Sequence, residues 1–124
     1  MIIIAYQGIA PSMDKVHEVV AEVQKFSVTH GWQIESNDVD SIVVTPHPKC
    51  ESISIAYDRK LRFSGFTKTV YAPVEIHHKI VVLFFEIKPL LKKLIIEDST
   101  GYWDSFLEAN LKKQIKEIVI FPEV

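Results

Sequence analysis

The chain has 124 residues, 48% of them apolar and 24% charged, the size and balance of one folded domain rather than of a disordered tail. Its 14 basic and 16 acidic residues leave a formal charge of -2, which argues against a strongly basic nucleic-acid binder. Cys50 stands alone among the cysteines, excluding an intrachain disulfide and any multi-thiolate zinc cluster.

Residues 2–6 begin the chain as a buried strand, with β-branched Ile2, Ile3 and Ile4 followed by Tyr6. The run has no basic leader and breaks at Gln7-Gly8, unlike a secretory signal. Pro11-Ser12 then opens a helix, with Ser12 as N-cap and Asp14 set against the dipole. Apolar residues at 13, 16, 19, 20, 23 and 26 give it a stripe of helical period, and His30-Gly31 closes it. Short extended segments follow at Trp32–Glu35, Ser41–Thr45 and Glu51–Tyr57. Ser36-Asn37-Asp38 and Pro46-His47-Pro48-Lys49 separate them, each proline removing a ladder donor. Asp58-Arg59-Lys60 turns the chain into a strand where Leu61, Phe63 and Gly65 alternate with Arg62 and Ser64. Together these segments predict an antiparallel meander with one wet face.

Residues 73–93 carry two readings. Pro73 at a first helical position, Glu75 after it and Lys88, Lys92 and Lys93 at the far end favour a helix. Ile80-Val81-Val82 and Phe84-Phe85 would also suit a buried strand, and Pro89 must kink or end any helix. Helix is preferred. It would be apolar nearly all round, and so sandwiched in the core or covered by another chain. Leu94–Glu97 reads as a short strand, Asp98–Gly101 as a turn, and a last helix runs from Tyr102 or Asp104 to Glu117. Ile118–Phe121 could close the chain as an edge strand before Pro122. The expectation is a single α+β domain over residues 1–124, with a mostly antiparallel sheet of four to six strands under two or three helices, in the order β-α-β-β-β-β-α-(β)-α.

Chemistry is sparse. His47 and Cys50 are three positions apart in a loop, and His77-His78 could add imidazoles after folding, so these four are weak metal candidates. Their bland alternative is a proline-stiffened loop beside a half-buried thiol. A nucleophilic Cys50 would need a base and a cationic setting, which His47 and Lys49 nominally supply, but no orienting group can be named. No nucleotide, P-loop or redox signature is present, and no cofactor is expected. Tyr102-Trp103 forms an aromatic step of the kind that anchors interfaces, or else simply starts the core stripe of the last helix.

The net charge hides an asymmetry. Residues 59–93 hold 8 basic residues against Glu75 and Glu86, a local +6, and the remainder is -8. Arg59, Lys60 and Arg62 would thus offer a cationic face to an acidic partner, unless acidic helices neutralise it. In size and texture alone the chain resembles small bacterial α+β proteins, a class that includes immunity and inhibitor proteins. No motif carries that likeness, and no residue is carried over from it. The resulting expectation is a cytoplasmic, non-enzymatic binding domain acting through a protein partner or as a homodimer, with neither membrane nor nucleic acid as its target. The alternative is a small-ligand or metal-binding protein, with or without enzymatic activity, centred on His47, Cys50 and His77 or His78.

Overall fold

A computed structural model of the chain describes residues 2–107 and 109. Its elements are β1 (Ile3–Ile9), α1 (Met13–His30), β2 (Gln33–Asn37), β3 (Ser41–Thr45), β4 (Ile53–Ala56), β5 (Arg62–Lys68), α2 (Val74–Ile87) and β6 (Lys93–Asp98). A further helix starts at 102. The fold is α+β, with two antiparallel three-stranded sheets ordered β5-β1-β6 and β2-β3-β4. No helix among the described residues is long and apolar enough to cross a membrane. The expected course of the last helix to Glu117 and the edge strand at Ile118–Phe121 lie outside the described residues.

The first helix follows the sequence closely. Ser12 Oγ accepts the Lys15 amide at 3.3 Å, satisfying one donor that the first turn leaves orphaned. Gly31 closes the helix at φ 69°, a left-handed conformation that costs glycine nothing, and its N–H reaches the Ser27 and Val28 carbonyls. Val16, Val19, Val20, Val23 and Phe26 are buried along one stripe.

The expected single meander is corrected in one respect. It breaks between β4 and β5: β5 pairs along its whole length with β1, from Ile3 opposite Lys68 to Ile9 opposite Arg62, and not with β4. The turn before β5 steers it there. Asp58 Oδ1 accepts the Lys60 and Arg62 amides at 2.8 and 3.0 Å, and Leu61 takes the left-handed φ of 60° that reverses the chain. β4 and β5 nevertheless remain neighbours, and side chains fill the missing ladder. Glu51 joins one end, donating its N–H to the Lys68 carbonyl and accepting the Lys68 amide at its carboxylate. Tyr6 joins the other. Its hydroxyl accepts the Ser54 amide at 2.9 Å and donates to the Ser54 carbonyl at 3.2 Å. The phenol reaches β4 only because its cross-strand neighbour on β5 is Gly65. A Cβ there would stand 2.5 Å from the Tyr6 oxygen.

Of the two readings of 73–93, the helix is correct, but it is shorter. α2 ends at Ile87 and a 3-10 turn, Lys88–Leu90, carries Pro89, which has no N–H to continue the helical ladder although Lys88 before it still has helical dihedrals. Ile80, Val81, Leu83, Phe84 and Ile87 are buried, and Phe85, on the flank, meets Phe106 edge-on at 5.1 Å. The chain itself therefore covers a helix that could have signalled a second molecule.

Tyr6→Phe would leave the Ser54 amide and carbonyl without their bridge, costing about 1–3 kcal/mol for the unsatisfied groups. The measurement is the urea midpoint at unchanged m-value. Gly65→Ala is expected to destabilise as well, by forcing the same phenol aside.

Candidate functional site

The most connected polar group in the described chain surrounds His77. α2 presents this imidazole toward the end of β6, where its side chain and that of Asp98 are 4% and 1% exposed. Nε2 lies 2.9 Å from Asp98 Oδ1 and Nδ1 lies 2.6 Å from Thr69 Oγ1. A carboxylate only accepts, so Nε2 carries the proton toward Asp98, and in the neutral ring Nδ1 accepts from the Thr69 hydroxyl. Burial alone would raise the Asp98 carboxyl. Hydrogen bonds from the Thr100 amide and hydroxyl and the Trp103 amide, with the charge of His77, bring it below its ordinary 3.8. Ile2, Ala72, Val74 and His78 complete the lining of an adjacent cavity of about 120 Å³ that Thr69, His77 and Thr100 also face.

Hydroxyl, imidazole and carboxylate in series have the connectivity of an activated nucleophile. The surroundings give the series another task. Acyl transfer needs N–H donors for a developing oxyanion, and the nearest ones are engaged. The Thr100 and Trp103 amides donate to the Asp98 carboxylate, Gly101 to the Asp98 carbonyl and Tyr102 to Thr100 Oγ1. Asp98 thus ties the last helix to β6, and His77 ties both to α2. In sequence Asp98–Gly101 reads only as a turn, and the one local signal of the acceptor is an aspartate in turn chemistry, whose carboxylate can take the amide two residues on, here that of Thr100.

Among the described residues no group of three His, Cys, Asp or Glu side chains could hold an ion. His47 Nδ1 accepts the Lys49 amide. Buried Cys50 lies 3.5 Å from Thr67 Oγ1 and donates to the Glu51 carbonyl. Burial, partly offset by Thr67, pushes its thiol up, the wrong direction for a nucleophile. His77 uses both ring nitrogens as described, and His78 stacks on Tyr102 at 3.9 Å. Trp103 belongs to the core and Tyr102 packs against it.

The basic residues bear on a different surface. One face of β5-β1-β6 carries buried Ile4, Tyr6, Phe63 and Thr67, and the opposite face is open among the described residues. Cross-strand register puts Arg62 and Lys93 on either side of Ile9 and puts Phe66 and Glu97 on either side of Ala5. Phe66 is 55% exposed and Ile95, across from Gln7, 39% exposed. Arg59 and Lys60 are exposed in the turn at the Arg62 end, where Asp58 already holds the Arg62 guanidinium at 3.2 Å. Phe66 and Ile95 went unremarked in the sequence, though continuing the alternation of Arg62 and Ser64 assigns Phe66 to the wet face.

No protein-family model matches the chain, and neither the curated proteins nor the solved structures include a match.

Asp98→Asn would set an amide NH₂ against an N–H donor, costing about 1–3 kcal/mol at pH 7. Because the folded-state acidity of Asp98 is enhanced, its contribution is present above the unfolded value near 3.8 and is lost as pH falls through the lower folded value. Urea midpoints of wild type and Asp98→Asn should accordingly separate at pH 7 and converge toward pH 3.

Proposed function

We propose that this is a non-enzymatic interaction domain that engages a protein through the open face of β5-β1-β6. The observation that carries this reading is Phe66, 55% exposed on a sheet face whose other side is the core. A phenylalanine in mid-strand, diagonally across β1 from exposed Ile95, loses favourable burial as long as that face meets water. Aromatic and aliphatic anchors inside a charged rim are the usual anatomy of a protein contact, and Arg62, Lys68, Lys93 and Glu97 supply such a rim. The basic end, with Arg59, Lys60, Arg62 and Lys93, favours a partner that is acidic where it overlies Ile9. The polar series at His77 supports this function by holding β6 and α2 in place, not by chemistry.

The test places a photoreactive benzoylphenylalanine at position 66 or at position 95 of the full chain, in the cells that make it. A discrete crosslinked species from either position is expected, and none from the same residue at exposed Lys25 on α1. Absence of any discrete species from both positions would overturn the reading. Phe66→Asp should lower crosslinking from position 95 at least about tenfold, the loss of one anchor of about 1.4 kcal/mol or more.

A further inference from the structure

We infer that the chain also joins a second copy of itself, edge to edge along β6 about a two-fold axis at Ile95. The contact uses the β6 edge and leaves the Phe66 face to the partner proposed above. Among the described residues β6 is the outermost strand of its sheet, and its pairing with β1 runs without interruption from Lys93 to Asp98. It has neither a proline nor a bulge. An edge of this kind is a template for another strand unless something blunts it. β2, at one end of the second sheet, shows what blunting looks like, since it carries a register shift between Ile34 and Ser36 and only one apolar side chain.

The residue pattern of β6 is self-complementary. Lys93, Ile95 and Glu97 alternate on the open face, and Leu94 and Ile96, half-buried, point the other way. An antiparallel pair centred on Ile95 sets Lys93 opposite Glu97 of the second copy, Glu97 opposite its Lys93, and Ile95 opposite Ile95. On the other face Leu94 meets Ile96 in both directions. An isologous contact requires this kind of match of one surface with itself, and opposite charges or aliphatic pairs at facing positions are the favourable cross-strand combinations. Within its own sheet neither charge finds such a partner. Lys93 and Glu97 face Ile9 and Ala5, and neither makes an ion pair among the described residues. The product is a six-stranded sheet crossing the dimer, with Phe66 exposed at both ends of its face.

The test is the mass in solution of the purified full chain, by sedimentation at tens of micromolar, for wild type, Lys93→Glu, Glu97→Lys and the double exchange. Wild type is expected at twice 14.2 kDa. Each single exchange turns both symmetry-related pairs into like charges and should weaken dimerisation about tenfold or more, whereas the double exchange restores opposite charges and should recover it. Higher salt should narrow the gap between wild type and the single variants. Thermal unfolding of all four chains separates lost pairing from lost folding. A monomeric wild type, single variants that dimerise as wild type does, or a well-folded double variant that stays monomeric would each overturn the inference. A monomer that still crosslinks from position 66 or 95 to a different protein would leave the interaction reading standing, whereas a monomer with no crosslinked species would remove both.

Discussion

One phenol bridges the two sheets at the end that Glu51 does not reach. β5 ladders with β1 and not with β4, which leaves backbone groups on that edge of β4 without a strand partner. Tyr6 supplies both a donor and an acceptor to them at Ser54, reaching across a strand that has no side chain at position 65 to stop it. Its ring also lies 5.1 Å from Phe84 of α2 and 6.3 Å from Phe63 of β5. A tyrosine suits the position because its body is apolar and only its tip needs a polar partner. Burial raises the hydroxyl above its ordinary acidity range, with the Ser54 bond opposing, so it keeps the proton it donates.

That register also decides what faces outward. Side chains alternate with period two, so burying Ile4 and Tyr6 on β1 turns Ile3, Ala5 and Gln7 to the other face. Pairing then carries the choice to both neighbours. Phe66 must lie beside Ala5, and Ile95 beside Gln7. The exposure of these two residues is a consequence of the core rather than a failure of it, because a slip of one residue on β1 would bury Gln7 and expose Tyr6. The same choice sends Asp98 inward, opposite Ile4. A carboxylate forced onto the core side needs acceptor-matched partners, and His77, Thr100 and the start of the last helix provide them.

Much of this was legible from local patterning. The stripe of α1, its serine cap and its glycine stop each have a nearby physical cause, and the structure reproduces them. So does the helical reading of 74–87, with its end set by Pro89. The partition into two sheets was not legible, because it depends on β5 pairing with a strand more than 50 positions earlier and on a void at Gly65 that only a distant tyrosine uses. The His77 group was half legible. Its histidine stood out as a possible ligand, but Thr69 and Asp98 are ordinary residues in sequence, and only α2 lying against the end of β6 makes them its partners. His47, Cys50, His77 and His78 are alike only in residue type, and among the described residues no three such side chains could share an ion. Spacing along the chain says little about convergence unless the residues share an element.

The charge asymmetry behaves similarly. The excess of lysine and arginine in 59–93 is divided on the open face: Arg59, Lys60, Arg62 and Lys93 share one end, with Asp58 on the Arg62 guanidinium, and Lys68 lies at the other. Arrangement matters more than total here, and β6 is the sharpest case. Natural edge strands are commonly guarded by charge, and a guard works against a second copy when the residues two before and two after the dyad share a sign, since any two-fold pairing then brings like charges together. Lys93 and Glu97 have opposite signs about Ile95. The charges that ordinarily protect an edge are placed here where they favour its own image.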